Sequence, residues 1–425
     1  MVNNSPTPYP QVKLLFQTMI FISVWVVAAL FTQGGAFDIP AGTINMSSLI
    51  RFVIMAGFFG VCMVSIRSWG RRLYQIDNLF FLPLLGLILI STAWTPNPIY
   101  GMRAFMTIIF LLGLFFAASE CLEKKHLFSA LIAAVTSISV ISIFTYYAFP
   151  AFSRATEYDG DIAYIGSRMA GVCGNPNNMG ITAAMALMLA FFYRGFNNGK
   201  WGWVILATVP INLIALLMTD SRGALLSMAV GTGVALLTRP SLPRIVALCA
   251  AITVGLGIYY FIDLNAIMEH FSRTGDASKV LTGREATWTV AKELIAEKPV
   301  FGWGYGSTPV VLPANIGKIG FLASHTHNIV LQILFSIGYI GLGLFGILIL
   351  FKSVFAFLYH DSFKMALIYM IIIHGQVEPS LFQGESNIDT LLFALVLAFP
   401  YPKVLKKPDL LTTSSVYQQP ESGGI

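Results

Sequence analysis

Residues 271–307 read FSRTGDASKVLTGREATWTVAKELIAEKPVFGWGYGS, and SHTHN follows at 324–328. They form most of a polar segment, 263–327, in a chain that is otherwise apolar runs joined by short loops. Six of the 26 Lys and Arg residues fall inside it: Arg273, Lys279, Arg284, Lys292, Lys298 and Lys318. The runs on either side are too long and too apolar for a soluble core, so they read as bilayer spans and the polar segment as a loop at a water face.

Composition agrees. Of 425 residues 56% are hydrophobic and 11% charged, with a mean hydropathy of +0.74, whereas soluble chains carry roughly 25% charged residues. No polar stretch is long enough to fold alone. Residues 1–407 therefore read as a single transmembrane domain containing the 263–327 loop, and 408–425, with TTSSVYQQPESGG, as a disordered tail. The net charge of +6 sits in short loops and gives no reason to expect nucleic acid. Cys62, Cys121, Cys173 and Cys249 lie in or at the ends of apolar runs without CxxC spacing, and read as packing residues.

The first run, 14–32, is long for a signal-peptide core and lacks a small-x-small cleavage site, so it is expected to stay as a span. Further spans are expected near 47–66, 79–95, 102–119, 127–149, 177–193, 201–219, 223–238, 245–262, 328–350, 365–380 and 386–401, twelve in all. The predicted fold class is thus an all-α polytopic membrane protein. Alternating the loops puts fifteen Lys and Arg residues on one side and three, Arg154, Arg168 and Arg222, in the short loops of the other. By the positive-inside rule both termini are expected to be cytoplasmic and the 263–327 loop to face outward.

Within that loop, Trp288, Val290 or Ala291, Leu294 and Ile295 recur at helical spacing, with Thr282 or Gly283 to open a helix at Arg284 and Pro299 to end it. Its apolar face suits the bilayer surface or the span mouths. Gly302, Gly304 and Gly306 follow, interleaved with Trp303 and Tyr305. No strand precedes them, so they read as a tight aromatic turn rather than a phosphate loop.

Three separated side chains then stand out. Arg222 sits where the seventh span turns into the eighth, next to Asp220 as a possible ion-pair partner. Arg284 opens the loop helix, and His325 and His327 end the loop before the tenth span. Two histidines two residues apart cannot share one helix face and no carboxylate or Cys neighbours them in sequence, so no metal is expected there. Arginine's forked, permanently charged guanidinium matches phosphate oxygens, and a neutral imidazole can take a proton from a hydroxyl near neutral pH. Together they suit departure of a diphosphate and attack by an alcohol.

Arg222 with Leu226, Thr282-Gly283-Arg284 with Trp288, Pro299 with Gly302 and Gly304, and His327-Asn328 with Gly338 and Gly341 together resemble the O-antigen ligase and exopolysaccharide polymerase family of bacterial membrane glycosyltransferases. Weaker echoes are Ser91 to Trp94 and the GNPNNMG stretch from Gly174 to Gly180, and the likeness covers about 80–400. The resemblance implies a GT-C-like fold in a bacterial inner membrane. It implies metal-independent, inverting transfer of a glycan from undecaprenyl diphosphate at the periplasmic face, without a cofactor. Arg222 and Arg284 would hold the diphosphate and His327 would be the general base. The acceptor would be the lipid A core in a ligase or a lipid-linked repeat in a polymerase, the latter with a chain-length regulator as a partner. Arg168, Asn175, Asn178, His325 and Asn328 are further candidates for sugar or phosphate contacts. Glu378, Glu385 and Asp389 bracket the last outer turn and read as acceptor-sugar contacts. The competing class is a lipid-linked oligosaccharide flippase or other transporter. It predicts internal repeats and charges at midspan, but no repeat is visible, and the only Lys or Arg residues inside spans, Arg51 and Arg103, lie near span ends.

Overall fold

The computed structural model describes residues 10–29, 46–66, 70, 73–74, 76–159, 162–193, 200–238, 284–320, 323–378, 381–382 and 387–401. The expected ninth span, the loop stretch 263–283, Cys249, Glu385 and the tail 408–425 lie outside the described residues.

The chain order is α1 (Pro10–Ala28), α2 (Met46–Met63), α3 (Phe81–Ser91), α4 (Pro98–Cys121), α5 (Lys124–Ala148), β1 (Arg154–Asp159), β2 (Ile162–Met169), α6 (Pro176–Tyr193), α7 (Lys200–Met218), α8 (Arg222–Leu237), α9 (Arg284–Glu297), α10 (Thr308–Ala314), α11 (Ile329–Leu358), α12 (Ser362–Gly375) and α13 (Ile388–Ala398), with a few single turns between. Each expected span within the described residues coincides with a helix. Four of them, α1, α4, α5 and α11, are long and apolar enough to cross a membrane, and shorter apolar helices surround them. The protein is a multi-pass helical membrane protein.

Local chemistry fixes several helix starts. Asn97 caps α4 by accepting from the Tyr100 N–H at 3.0 Å, with Pro98 at the first helical position, where a missing N–H costs nothing. Asn387 and Thr390 form a reciprocal capping box at α13. That helix is buried along its whole length and packs on α4 and α12, in keeping with a sequence apolar on every side. The α8–α12 pair approaches closely at Gly231, where a Cβ would stand 2.6 Å from the Ala366 carbonyl oxygen. Small residues are what let apolar helices touch backbone to backbone in lipid.

Two lysines depart from the expected loop placement. Lys352 is fully buried in α11 and its Nζ donates to Asp77 Oδ2 at 2.7 Å and Asn78 Oδ1 at 2.6 Å. Lys364 is also fully buried; its Nζ lies 3.5 Å from the centre of the Tyr401 ring and has no hydrogen-bond partner among the described residues. At Lys352 a charge in so dry a place persists only with partners such as Asp77 and Asn78. The other departure is the antiparallel β1–β2 hairpin, with an irregularity between Arg154 and Thr156, in a stretch expected to be a plain loop.

The loop helix α9 forms with the expected face inward. Val290, Ala291, Leu294 and Ile295 are buried in a small second core with Leu312, Ile319, Leu334 and Phe335, so it docks on α11. The glycine run locks the same junction. α11 breaks at Gly338 (φ 66°, ψ −167°), a conformation essentially restricted to glycine. Trp303 N–H donates to Phe335 O at 2.7 Å, Gly304 N–H to Ser336 O at 2.9 Å and Tyr339 N–H to Pro299 O at 2.9 Å. The turn's amides are thus spent on the carbonyls that the break frees.

A Cβ at position 338 would stand 2.2 Å from the Val300 carbonyl oxygen. Gly338→Ala is therefore expected to destabilise the protein by at least about 1–3 kcal/mol from backbone strain alone. The clash adds to that, and the effect is read as a fall of several degrees in the melting midpoint of detergent-solubilised protein. An unchanged midpoint would mean that the break is not a required feature.

Candidate functional site

The 324–328 loop is clamped from two sides. Asn328 caps α11, its Oδ1 accepting from Val330 N–H at 3.0 Å and Leu331 N–H at 3.1 Å. Its amide also donates to Gln376 Oε1 at 3.2 Å. From α9, Trp288 Nε1 donates to the Thr326 carbonyl at 2.8 Å. Gln332 is fully buried and binds both Thr308 Oγ1 (3.0 Å) and the Phe382 carbonyl (3.1 Å), while its Oε1 faces Thr326. Between these anchors His327 takes a left-handed backbone conformation (φ 51°), uncommon for a residue with a side chain. Such strain is kept where the surroundings over-determine it.

Glu378 meets this loop from the end of α12. Its backbone N–H donates to His374 O at 2.9 Å, and its carboxylate is buried. His325 Nε2 lies 3.0 Å from Oε1, His327 Nδ1 3.3 Å from Oε2, and the Arg284 guanidinium 3.9 Å from Oε2. The two imidazole centroids are 4.1 Å apart. Asn177 Nδ2 donates to Oε2 at 3.0 Å. Burial pushes the Glu378 carboxyl up, but the hydrogen bonds and charges of the two histidines outweigh it and hold the group well below the ordinary carboxylate value. His327 is moved below its usual 6.5, first by burial and then by His325. At neutral pH the arrangement is thus an ionised carboxylate beside a neutral His327.

The α7–α8 turn closes the remaining side. Arg168 Nε donates to the Thr219 carbonyl at 3.1 Å and its Nη2 reaches Asn177 Oδ1 at 3.3 Å. Ser221 Oγ reaches the same Asn177 oxygen at 3.3 Å. Arg222 opens α8 with its Nε 3.8 Å from Asp220 Oδ1, both side chains well exposed. Asp220 is the second strained residue of the site, at φ 47°. Gly223 lies so close to Val377 that a Cβ would sit 2.4 Å from Val377 Cγ2, which sets the start of α8 beside the Glu378 turn.

The structure therefore brings together Arg284, His325, His327, Asn328 and Glu378, with Arg222 at the adjoining α7–α8 turn and Arg168 reaching that turn from β2. Asn175 instead acts as a cap, its Oδ1 accepting from Asn177 N–H at 2.7 Å and Asn178 N–H at 3.4 Å. The residue that reaches the carboxylate is Asn177, which the sequence reading passed over. Gln332 and Gln376 were passed over too. In a span-by-span reading a buried glutamine looks like any other polar interruption. Both carboxylates are engaged within the protein: Glu378 faces the two histidines, and the buried Asp389 lies 2.9 Å from His374 Nδ1. The histidine pair has no carboxylate beside it in sequence, but the fold supplies one, Glu378, 51 residues from His327 in the chain.

The lowered His327 pKa makes a prediction. A His followed by NMR at this position should titrate with a midpoint below 6.5. Because the folded state binds this proton less readily than the unfolded chain, stability should fall as pH drops below about 6.5. A midpoint above that value would mean that the imidazole is not desolvated as described.

Comparison with known proteins bears on the same region. Residues 204–346 match a family model described as O-Antigen ligase. A "Putative polysaccharide ligase" of Rickettsia felis is 24% identical over 298 residues, which cover 64% of this chain and 69% of the relative. The matched region runs from within α7 through Arg222, Arg284 and both site histidines to α11. Over this region the chain is similar to the O-antigen ligase family.

Proposed function

We propose that the protein is a bacterial inner-membrane glycosyltransferase that moves a glycan from a lipid diphosphate, undecaprenyl diphosphate in the family's manner, to an acceptor hydroxyl at the periplasmic face. The observation that carries the reading is the convergence of Arg284, the two histidines and Glu378 from three distant segments, with Arg222 on the turn beside them. The twelve-span arrangement with both termini cytoplasmic belongs to the same proposal and rests on the charge count.

In this reading Arg222 and Arg284 grip the two phosphates and offset the charge that grows on the leaving group, without a metal ion. The choice between the histidines follows from their hydrogen bonds. His325 spends both ring nitrogens, Nε2 on Glu378 and Nδ1 on Ser324 Oγ at 3.0 Å. His327 spends Nδ1 on Glu378. If Nδ1–H donates to the carboxylate, the proton is fixed there and the Nε2 lone pair is left to accept the acceptor's hydroxyl proton. Attack from the face opposite the diphosphate then inverts the anomeric carbon.

The likeness to a polysaccharide ligase supports glycan transfer as the class of reaction, and the acceptor is settled by the cell. Deleting the gene and examining surface glycans distinguishes the two variants. Loss of polymer from the lipid A core with accumulation of lipid-linked polymer marks a ligase, and single repeats in place of polymer mark a polymerase. An unaltered surface glycan and unaltered lipid-linked pool would refute the proposal.

A further inference from the structure

One ring nitrogen each of His325 and His327 and one oxygen of Glu378 all lie within 4.8 Å of one another, and no other cluster of three or more such groups occurs among the described residues. In a tetrahedral zinc site with bonds of about 2.0–2.1 Å, neighbouring ligand atoms stand about 3.3 Å apart. The 3.0 Å His325–Oε1 and 3.3 Å His327–Oε2 separations are near that edge, though they run to the two different oxygens of the carboxylate. Gathering the set around one ion draws ligand atoms that now stand within 4.8 Å of one another in towards that spacing.

The surrounding bonds are also of the sort that orient metal ligands. The Ser324 hydroxyl holds His325 Nδ1, which leaves Nε2 to point at the centre. Asn177 holds the Glu378 carboxylate through Nδ2, and His327 is fixed by its strained backbone ahead of the α11 cap. Two imidazoles and one carboxylate form a set suited to zinc and similar divalent ions, with one position left for water or another oxygen donor. One feature opposes it: the Arg284 guanidinium, 3.9 Å from Oε2, repels a cation. That repulsion argues for a site of moderate affinity.

We propose that His325, His327 and Glu378 form a binding site for a divalent transition metal of the zinc type, and that its occupation switches the protein off. The second half rests on the glycosyl-transfer reading above. A neutral imidazole has one N–H and one lone pair. A metal on His327 Nδ1 uses the lone pair there and forces the proton onto Nε2, so the nitrogen that would take the hydroxyl proton becomes a donor. Glu378 loses its hydrogen bonds from both rings at the same time. The ion and the acceptor's proton thus compete for one histidine.

The test uses the full chain in detergent or lipid nanodiscs, purified on a tag without histidines. Zinc is silent in the visible spectrum, so Co2+ serves as the probe. One equivalent per chain should give the intense visible bands of a four-coordinate site. His325→Ala, His327→Ala and Glu378→Gln should each weaken binding at least about tenfold. Zn2+ should displace the cobalt and inhibit glycan transfer, and chelation should restore the rate. Absence of the bands, or bands untouched by all three substitutions, would overturn the site. Chelator-treated protein that regains activity only when zinc is added would overturn the inhibitory role and make the ion a cofactor. A chain that binds cobalt as expected but transfers no glycan would overturn the functional reading while supporting the metal site.

Discussion

His327→Ala is expected to lower glycan transfer by about 10²–10⁴-fold, the usual worth of a positioned general base, with the protein still present in the membrane. The expectation rests on where the ring is held. Its Nδ1 lies 3.3 Å from Glu378 and its backbone is in the left-handed region, so the side chain is aimed by both neighbours and main chain. The carboxylate's part is to fix the tautomer, and Glu378→Gln should therefore be damaging in the same assay even though it touches no substrate. His325→Ala should cost less, because both its nitrogens are engaged by Ser324 and Glu378. Transfer is measured with purified protein and a lipid-diphosphate donor, beside immunoblots of the membrane fraction. A His327→Ala protein with undiminished transfer would remove the base assignment. Greater loss in His325→Ala than in His327→Ala would exchange the two roles.

Much of this site could be read from the chain because its extremes are chemically loud. Arginines and histidines are expensive in an apolar sequence, so Arg222, Arg284 and the SHTHN loop announced themselves. Helix positions were equally legible, since a bilayer imposes a minimum apolar length on every span. What stayed hidden was pairing across distance. Glu378 is separated from Asn177 by 201 residues, and no periodicity connects them. The reading that gave Glu378 a sugar and left the histidines without a carboxylate had no means of joining α12 to the α11 cap. Asn177 was lost among three asparagines whose jobs differ only in three dimensions, one capping and one reaching the carboxylate. The hairpin was missed for a different reason. Arg154–Asp159 and Ile162–Met169 are separated in sequence by Gly160-Asp161, a two-residue, glycine-first hairpin signal that is hard to see between long apolar runs. The buried lysines escaped because a positive charge near a span end reads as loop until Asp77 and Tyr401 are seen around it.

Arg284→Lys is expected to reduce kcat/KM for the lipid-diphosphate donor by about 10²–10³-fold, comparable with loss of a preorganised donor to a developing oxyanion. The substitution keeps the charge, so a merely electrostatic role would survive it. A forked contact would not, because an ammonium offers rotating donors on a flexible stem in place of a planar pair. Arg284 is well placed to show the difference: its guanidinium is four-fifths buried, one Nη 3.9 Å from Glu378 Oε2, on a helix pinned to α11 by its own small core. Shortening the reach and losing the plane moves the charge away from both the carboxylate and the phosphates. Arg284→Ala should be at least as damaging. Combined with Glu378→Gln it should cost less than the product of the two single losses, since the two groups act on one another. The informative comparison is the split between constants. If Arg284 holds the diphosphate equally in ground and transition states, KM for the donor rises and kcat stays, whereas stabilisation of the departing diphosphate lowers kcat as well. Lysine that supports transfer within about threefold of arginine would mean that no two-pronged contact is made there, and the grip on the phosphates would then fall to Arg222 at the neighbouring turn and Arg168 on β2.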